Sequence, residues 1–182
     1  VMNINGKTRL LGLIGNPIEH TKSPVIHNNI SEKMNINEVY VPFFVEKEGL
    51  SNAILGAYEL NILGLNVTVP YKTDVISELV DIDIAAKNIG AVNTLVRVDG
   101  GYKGYNTDIL GLLRELKSED INLKNRTIVI LGAGGAAKAV AYMCITEGAH
   151  KIYLFNRTKK HAATVADALN LVWGKDIIVP MA

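Results

Sequence analysis

The chain has 182 residues, 48% hydrophobic, 20% charged and 6% aromatic, which suits one sizeable core or two modest ones and excludes a disordered chain. Its 19 basic and 18 acidic residues are mixed along the sequence and leave a formal net charge of +1, so no basic face is offered to nucleic acid or anionic lipid. Cys144 is the only cysteine, which excludes an internal disulfide; no apolar run approaches a membrane span, and Val1–Lys7 lacks a basic-then-apolar signal pattern. These features lead to the expectation of a cytoplasmic protein that acts on small molecules.

In chain order, the strand-like run Arg9–Ile14 breaks at Gly15-Asn-Pro17, and a helix pattern starts at Ser23-Pro24 with Val25, Ile26 and Ile30 spaced for one face. Val39–Val45 reads as a second strand, Leu50–Leu60 as a second helix and Leu63–Val69 as a third strand ended by Pro70. Val92–Val98 and Tyr102–Tyr105 flank Asp99-Gly-Gly101, the turn chemistry of a β-hairpin. Asn106-Thr-Asp108 opens a helix carrying Leu110, Leu113 and Leu116, and the polar stretch Ser118–Asn125 is the expected linker. Strands alternating with helices predict an α/β fold: a parallel-rich domain over residues 1–118, then a partial dinucleotide-binding domain over 119–182.

The second region carries the local signal for a nucleotide. Thr127–Leu131 runs as a strand into Gly132-Ala-Gly-Gly-Ala-Ala137, and a helix follows to Gly148, with Cys144 expected to be a buried, inert thiol inside it. Side chains at Gly132 or Gly134 would hold a pyrophosphate away from the backbone, whereas the free N–H groups of a helix start attract it; Ala133, Gly135 and Ala136 complete the expected loop. The bare alternative is a glycine-rich turn tightening a strand-to-helix corner. The next strand, Lys151–Phe155, ends in Asn156-Arg-Thr158, with no acid for a ribose 2′-hydroxyl. Arg157 offers a planar fork of donors to a 2′-phosphate and Thr158 a hydroxyl, so NADP is expected over NAD.

Four further segments carry a family resemblance: Gly15-Asn-Pro-Ile-Glu-His-Thr-Lys-Ser-Pro-Val-Ile-His-Asn28, Asn66-Val-Thr-Val-Pro-Tyr-Lys72, Gly90-Ala-Val-Asn-Thr94 and Gly104-Tyr-Asn-Thr-Asp108. In order and spacing they resemble the substrate-domain motifs of the shikimate dehydrogenases. The resemblance implies reversible, NADPH-dependent reduction of 3-dehydroshikimate to shikimate in chorismate biosynthesis. It implies Lys72 and Asp108 as the catalytic pair, Thr21 and Ser23 as holders of the substrate carboxylate, and Asn66, Thr68 and Asn93 as partners of the ring hydroxyls. Taken alone, Lys72 reads as an exposed helix lysine, Asp108 as a helix N-cap and Ser23 as an N-cap before proline. Thr21 stands where the family pattern has serine, and His161 where relatives often carry a second arginine. His20 and His27 are given no proton-transfer role, and no residues have metal-ligand spacing. Family members continue well past position 182, so the resemblance implies a chain truncated in the second domain, with a dual quinate/shikimate dehydrogenase or a non-catalytic binding module as the alternatives.

Overall fold

The computed structural model describes residues 4–182, which form two compact units: one runs to Asp83 and resumes over Val92–Tyr105, and the other joins Ile84–Ala91 to Asn106–Ala182.

In the first unit, Arg9–Gly15 (β1) is followed by Ser23–Lys33 (α1), Glu38–Phe44 (β2), Leu50–Glu59 (α2), Gly64–Val67 (β3), the short Asp81–Ile82 (β4), Thr94–Val98 (β5) and Gly101–Tyr105 (β6). They form one sheet in the order β2-β1-β3-β5-β6-β4. β1 pairs in parallel with β2 and β3, as two β-loop-α units predict, and the β5–β6 hairpin adds antiparallel strands beside β3. Leu13, Ile14, Leu65, Val67 and Leu95 from the central strands and Ile54 and Ala57 from α2 are buried in its core. Residues 74–78 form a 3₁₀ turn that no sequence pattern predicts.

The apolar spacing on α1 is misleading. Val25 is 65% and Ile26 54% exposed, Ile30 is also exposed, and Ser31 is the helix's buried residue. A polar clamp holds α1 to β2: Asn28 Nδ2 donates to the Tyr40 carbonyl at 2.9 Å, and the Tyr40 N–H donates to Asn28 Oδ1 at 2.8 Å. The side-chain amide acts as a substitute strand partner for the outermost strand, which satisfies backbone groups that an apolar contact would leave unpaired.

In the second unit, Ile84–Ile89 (α3) and Asp108–Ser118 (α4) accompany Thr127–Leu131 (β7), Gly135–Thr146 (α5), Lys151–Phe155 (β8), Lys159–Trp173 (α6) and Ile178–Met181 (β9). The three strands are parallel in the order β7-β8-β9. Ile152 and Leu154 of β8 are fully buried under Met143 and Cys144 of α5 and Ala162, Val165, Ala166 and Leu169 of α6. Burial pushes the Cys144 thiol up to about 11, consistent with an inert core cysteine. The expected division at 118/119 follows the polar stretch, whereas the compact units divide elsewhere. Ile109, Leu112, Leu113 and Leu116 of α4 pack against the second core, and Ile89 and Ala91 pack with Ala139, so both segments belong to the second unit.

Candidate active site

A cleft of about 500 Å³ opens at the C-terminal ends of β1 and β3, where open α/β sheets gather ligand groups. The loop after β1 brings Thr21, the start of α1 brings Ser23, β3 and the residue after it bring Asn66 and Thr68, and Asn93 leads into β5. Lys72 lies in the turn after Val69-Pro70 rather than on a helix, which removes the exposed-helix reading of it. Its backbone is fixed on both sides. The Tyr71 hydroxyl, on a side chain 1% exposed, donates to the Val45 carbonyl at 2.5 Å, and the Val92 N–H donates to the Lys72 carbonyl at 2.7 Å. Gly15 gives Thr68 its place, since a Cβ there would lie 2.4 Å from Thr68 Cγ2.

Thr21, Ser23, Asn66, Thr68, Lys72 and Asn93 all line this cleft, together with His20, His27 and a floor of Leu13, Ile18 and Val67. Among the described residues, no carboxylate lines it. One ammonium, several hydroxyls and two amides without an acid suit a small anionic molecule with ring hydroxyls, because each buried polar atom of such a ligand needs a neutral or cationic partner. The Ser23 N–H donates to Thr21 Oγ1 at 3.2 Å, which leaves the Thr21 hydroxyl hydrogen for a ligand. Ser23 is itself the first residue of α1, with Lys22 at the cap position and no side-chain cap bond. It therefore does not serve as an ordinary N-cap.

Sequence reasoning missed the residues behind this front row. Tyr40 donates its O–H to Asn66 Oδ1 at 2.7 Å; Asn66 Nδ2 donates to Thr94 Oγ1 at 3.2 Å, and the Thr94 hydroxyl donates to Asn93 Oδ1 at 2.9 Å. A tyrosine in a strand reads as packing, and no signal in the sequence marks it as a partner of Asn66.

Asp108, the remaining expected site residue, is in the second unit as the first residue of α4, with Thr107 in the cap position, so the N-cap reading fails. Buried Asn106 sets its backbone: Oδ1 accepts the Asp108 N–H at 3.1 Å, and Nδ2 donates to the Ala91 carbonyl at 3.0 Å.

The nucleotide elements also lie in the second unit, at the C-terminal ends of two neighbouring strands. β7 and β8 are in register to Leu131 and Phe155, and the Gly132 N–H donates to the Phe155 carbonyl at 2.7 Å, so Gly132–Ala136 sits beside Asn156–Thr158. Gly132 has φ +105, a conformation that favours glycine. Gly134 instead has an ordinary backbone, and a Cβ there would meet nothing within 4 Å. The space above Gly134 is therefore open for a ligand, and the helix start of α5 points its first-turn N–H groups there. Asn156 Nδ2 donates to the Thr158 carbonyl at 2.9 Å and shapes the turn, while Arg157 is exposed. These features fit a dinucleotide phosphate. Among the described residues no cluster of His, Cys, Asp or Glu is placed to hold a metal, and no helix is long and apolar enough to cross a membrane.

Comparison with known families finds a match for each part of the chain. The family model for the shikimate dehydrogenase substrate binding domain matches residues 13–95, and that for shikimate / quinate 5-dehydrogenase matches 114–175. The chain belongs to the shikimate dehydrogenase family. It is 46% identical over 165 residues to the shikimate dehydrogenase (NADP(+)) of Carboxydothermus hydrogenoformans, covering 91% of this chain and 59% of that one. The crystal structure of shikimate dehydrogenase from Aquifex aeolicus matches with a TM-score of 0.87 at 43% identity, over 91% of this chain and 62% of the other. The Thermus thermophilus enzyme in complex with NADP(H) and shikimate matches with a TM-score of 0.82 at 32% identity, over 95% and 63%. The chain thus spans about three fifths of the length of the shikimate dehydrogenases it matches.

Proposed function

We propose that the protein carrying this chain is an NADP-dependent shikimate dehydrogenase that reversibly reduces 3-dehydroshikimate to shikimate. The observation that carries this reading is the convergence of Thr21, Ser23, Asn66, Thr68, Lys72 and Asn93 on one cleft without a carboxylate.

In this reading the Thr21 and Ser23 hydroxyls hold the substrate carboxylate beside the start of α1, where the helix dipole favours an anion. Asn66, Thr68 and Asn93 pair with the ring hydroxyls; an analogue lacking one of these leaves a buried amide unsatisfied, which is the physical source of selectivity. Gly132–Ala136 and the first turn of α5 hold the pyrophosphate, and Arg157 with Thr158 meets the 2′-phosphate, supported by Asn156. When bound, NADP(H) supplies or accepts the hydride. Reduction of the 3-keto carbon puts negative charge on its oxygen. The Lys72 ammonium stabilises that charge, and Lys72 and Asp108 are the residues to which the family resemblance assigns delivery of the proton and its return in the reverse direction.

The test is a spectrophotometric assay of NADPH formation by the whole protein, with shikimate and quinate compared and NADP and NAD compared. Shikimate with NADP is expected to be turned over fastest. Equal or faster turnover of quinate would make the dual enzyme the better description, and no turnover of either acid with either nucleotide would refute the proposal in favour of a non-catalytic binding module.

A further inference from the structure

Tyr40 is not among the residues that line the cleft, yet its hydroxyl holds one that does. The residue is 4% exposed, and its ring stacks on His27 with centroids 4.2 Å apart and planes 5° from parallel. Its hydroxyl donates to Asn66 Oδ1 at 2.7 Å. The same line of bonds continues from Asn66 through Thr94 to Asn93. Tyr40 on β2, Asn66 on β3 and Asn93 before β5 are therefore joined in one hydrogen-bonded chain.

We infer that Tyr40 is a positioning residue of the cleft, whose hydroxyl fixes Asn66, and through it the line of bonds to Asn93, in the orientation that a ligand with ring hydroxyls requires. The inference rests on the shikimate reading of the cleft. Asparagine has several rotamers of similar energy, and its amide can turn either end inward, so the side chain does not hold one geometry by itself. Tyr40 selects the arrangement with Asn66 Oδ1 turned to the phenol and Nδ2 turned to Thr94. A ligand meeting a set of groups already in place loses less ordering entropy on binding. Burial pushes the Tyr40 phenol up to about 12, so it remains a neutral donor at any working pH. Packing needs only the ring, which phenylalanine would supply.

Tyr40→Phe separates the hydroxyl from the ring, and calorimetric titration of the chain with shikimate and with NADP reads the result. The dissociation constant for shikimate is expected to rise about five- to tenfold, the loss of one hydrogen bond's worth of organisation. The constant for NADP and the unliganded melting temperature should stay within error, which a purely structural role for the hydroxyl would not allow. Shikimate binding within twofold of the unsubstituted chain overturns the inference and leaves the shikimate reading intact. Failure of the unsubstituted chain to bind shikimate refutes that reading and the inference with it. If Tyr40→Phe melts more than about 5 °C lower, 3,5-difluorotyrosine at position 40 decides, since it keeps the size and the hydroxyl but ionises at lower pH. Its shikimate affinity should fall as the phenol ionises, over a range where the unsubstituted chain is flat; a flat response overturns the inference.

Discussion

The two units build their candidate sites from opposite materials. In the first, short polar side chains from α1, β3 and the segment before β5 converge, and each depends on a neighbour: Thr68 on the missing side chain at Gly15, Asn66 on Tyr40, Lys72 on Tyr71 and Val92. In the second, one contiguous run supplies backbone N–H groups at a helix start, and the space above Gly134 is open. A side-chain site is inseparable from the core that aims it, whereas a backbone site needs only the strand-turn-helix corner. A change that overpacks the first site, as at Gly15, should therefore disturb fold and binding together, whereas changes at the second should separate them.

The largest effect is expected at the reacting centre. In the whole protein, Lys72→Ala should lower kcat by about 10² to 10⁴, the usual range for a proton-transfer group, with a much smaller change in shikimate affinity; equal losses in steady-state kcat and in affinity would reduce Lys72 to a binding group. Next come the two glycines, which set the regions directly against each other. Gly15→Ala forces Thr68 from its place and should cost about 1–3 kcal/mol of stability by overpacking, weakening shikimate binding at the same time. Gly134→Ala should leave the denaturation midpoint nearly unchanged and weaken NADP binding by about tenfold, because the added methyl meets ligand rather than protein. If Gly134→Ala unfolds the chain, or Gly15→Ala leaves both readouts untouched, the contrast is lost.

A smaller effect should come from Arg157→Ala, which is expected to lower NADP affinity about tenfold while NAD stays within about twofold, since a charge-assisted bond to the phosphate is lost only with NADP. Parallel losses in the two titrations would remove Arg157 from the 2′-phosphate. The smallest effect is at high pH. The Tyr40 phenol has an ordinary value of 10.0, raised on folding to about 12. The unfolded chain thus releases this proton first, and the stabilisation, complete below pH 10, should drain away as pH climbs towards 12. Urea melts across that range should show a shallower decline for Tyr40→Phe than for the unsubstituted chain, and identical slopes would contradict the buried-phenol account.

The same contrast governs what could be read from the sequence. The glycine loop was legible because strand, turn and helix start are adjacent in the chain and each carries its own pattern. The residues lining the cleft were legible only through motif resemblance. Nothing local distinguishes Asn93 from a strand-end asparagine, or Thr68 from an ordinary β-branched residue. Tyr40 stayed hidden because a tyrosine between valines has the signature of a packed strand, and its hydrogen bonds run to residues far away in sequence. The solvent-facing side of α1 also escaped the pattern, since the Asn28 clamp on β2 replaces the apolar contact that Val25, Ile26 and Ile30 suggest. The position of α4 was lost for a related reason: the polar stretch after Ser118 looks like a linker, but Ile109, Leu112, Leu113 and Leu116 pack with the second core.

The most direct test of the central claim, that the cleft of the first unit is a shikimate site, is a backbone amide NMR titration of the chain with shikimate. The account expects saturable shifts at Thr21, Ser23, Asn66, Thr68, Lys72 and Asn93, with Gly132–Ala136 and Asn156–Thr158 unmoved until NADP is added. Shikimate shifts confined to other residues, or none at saturating concentration, would contradict it.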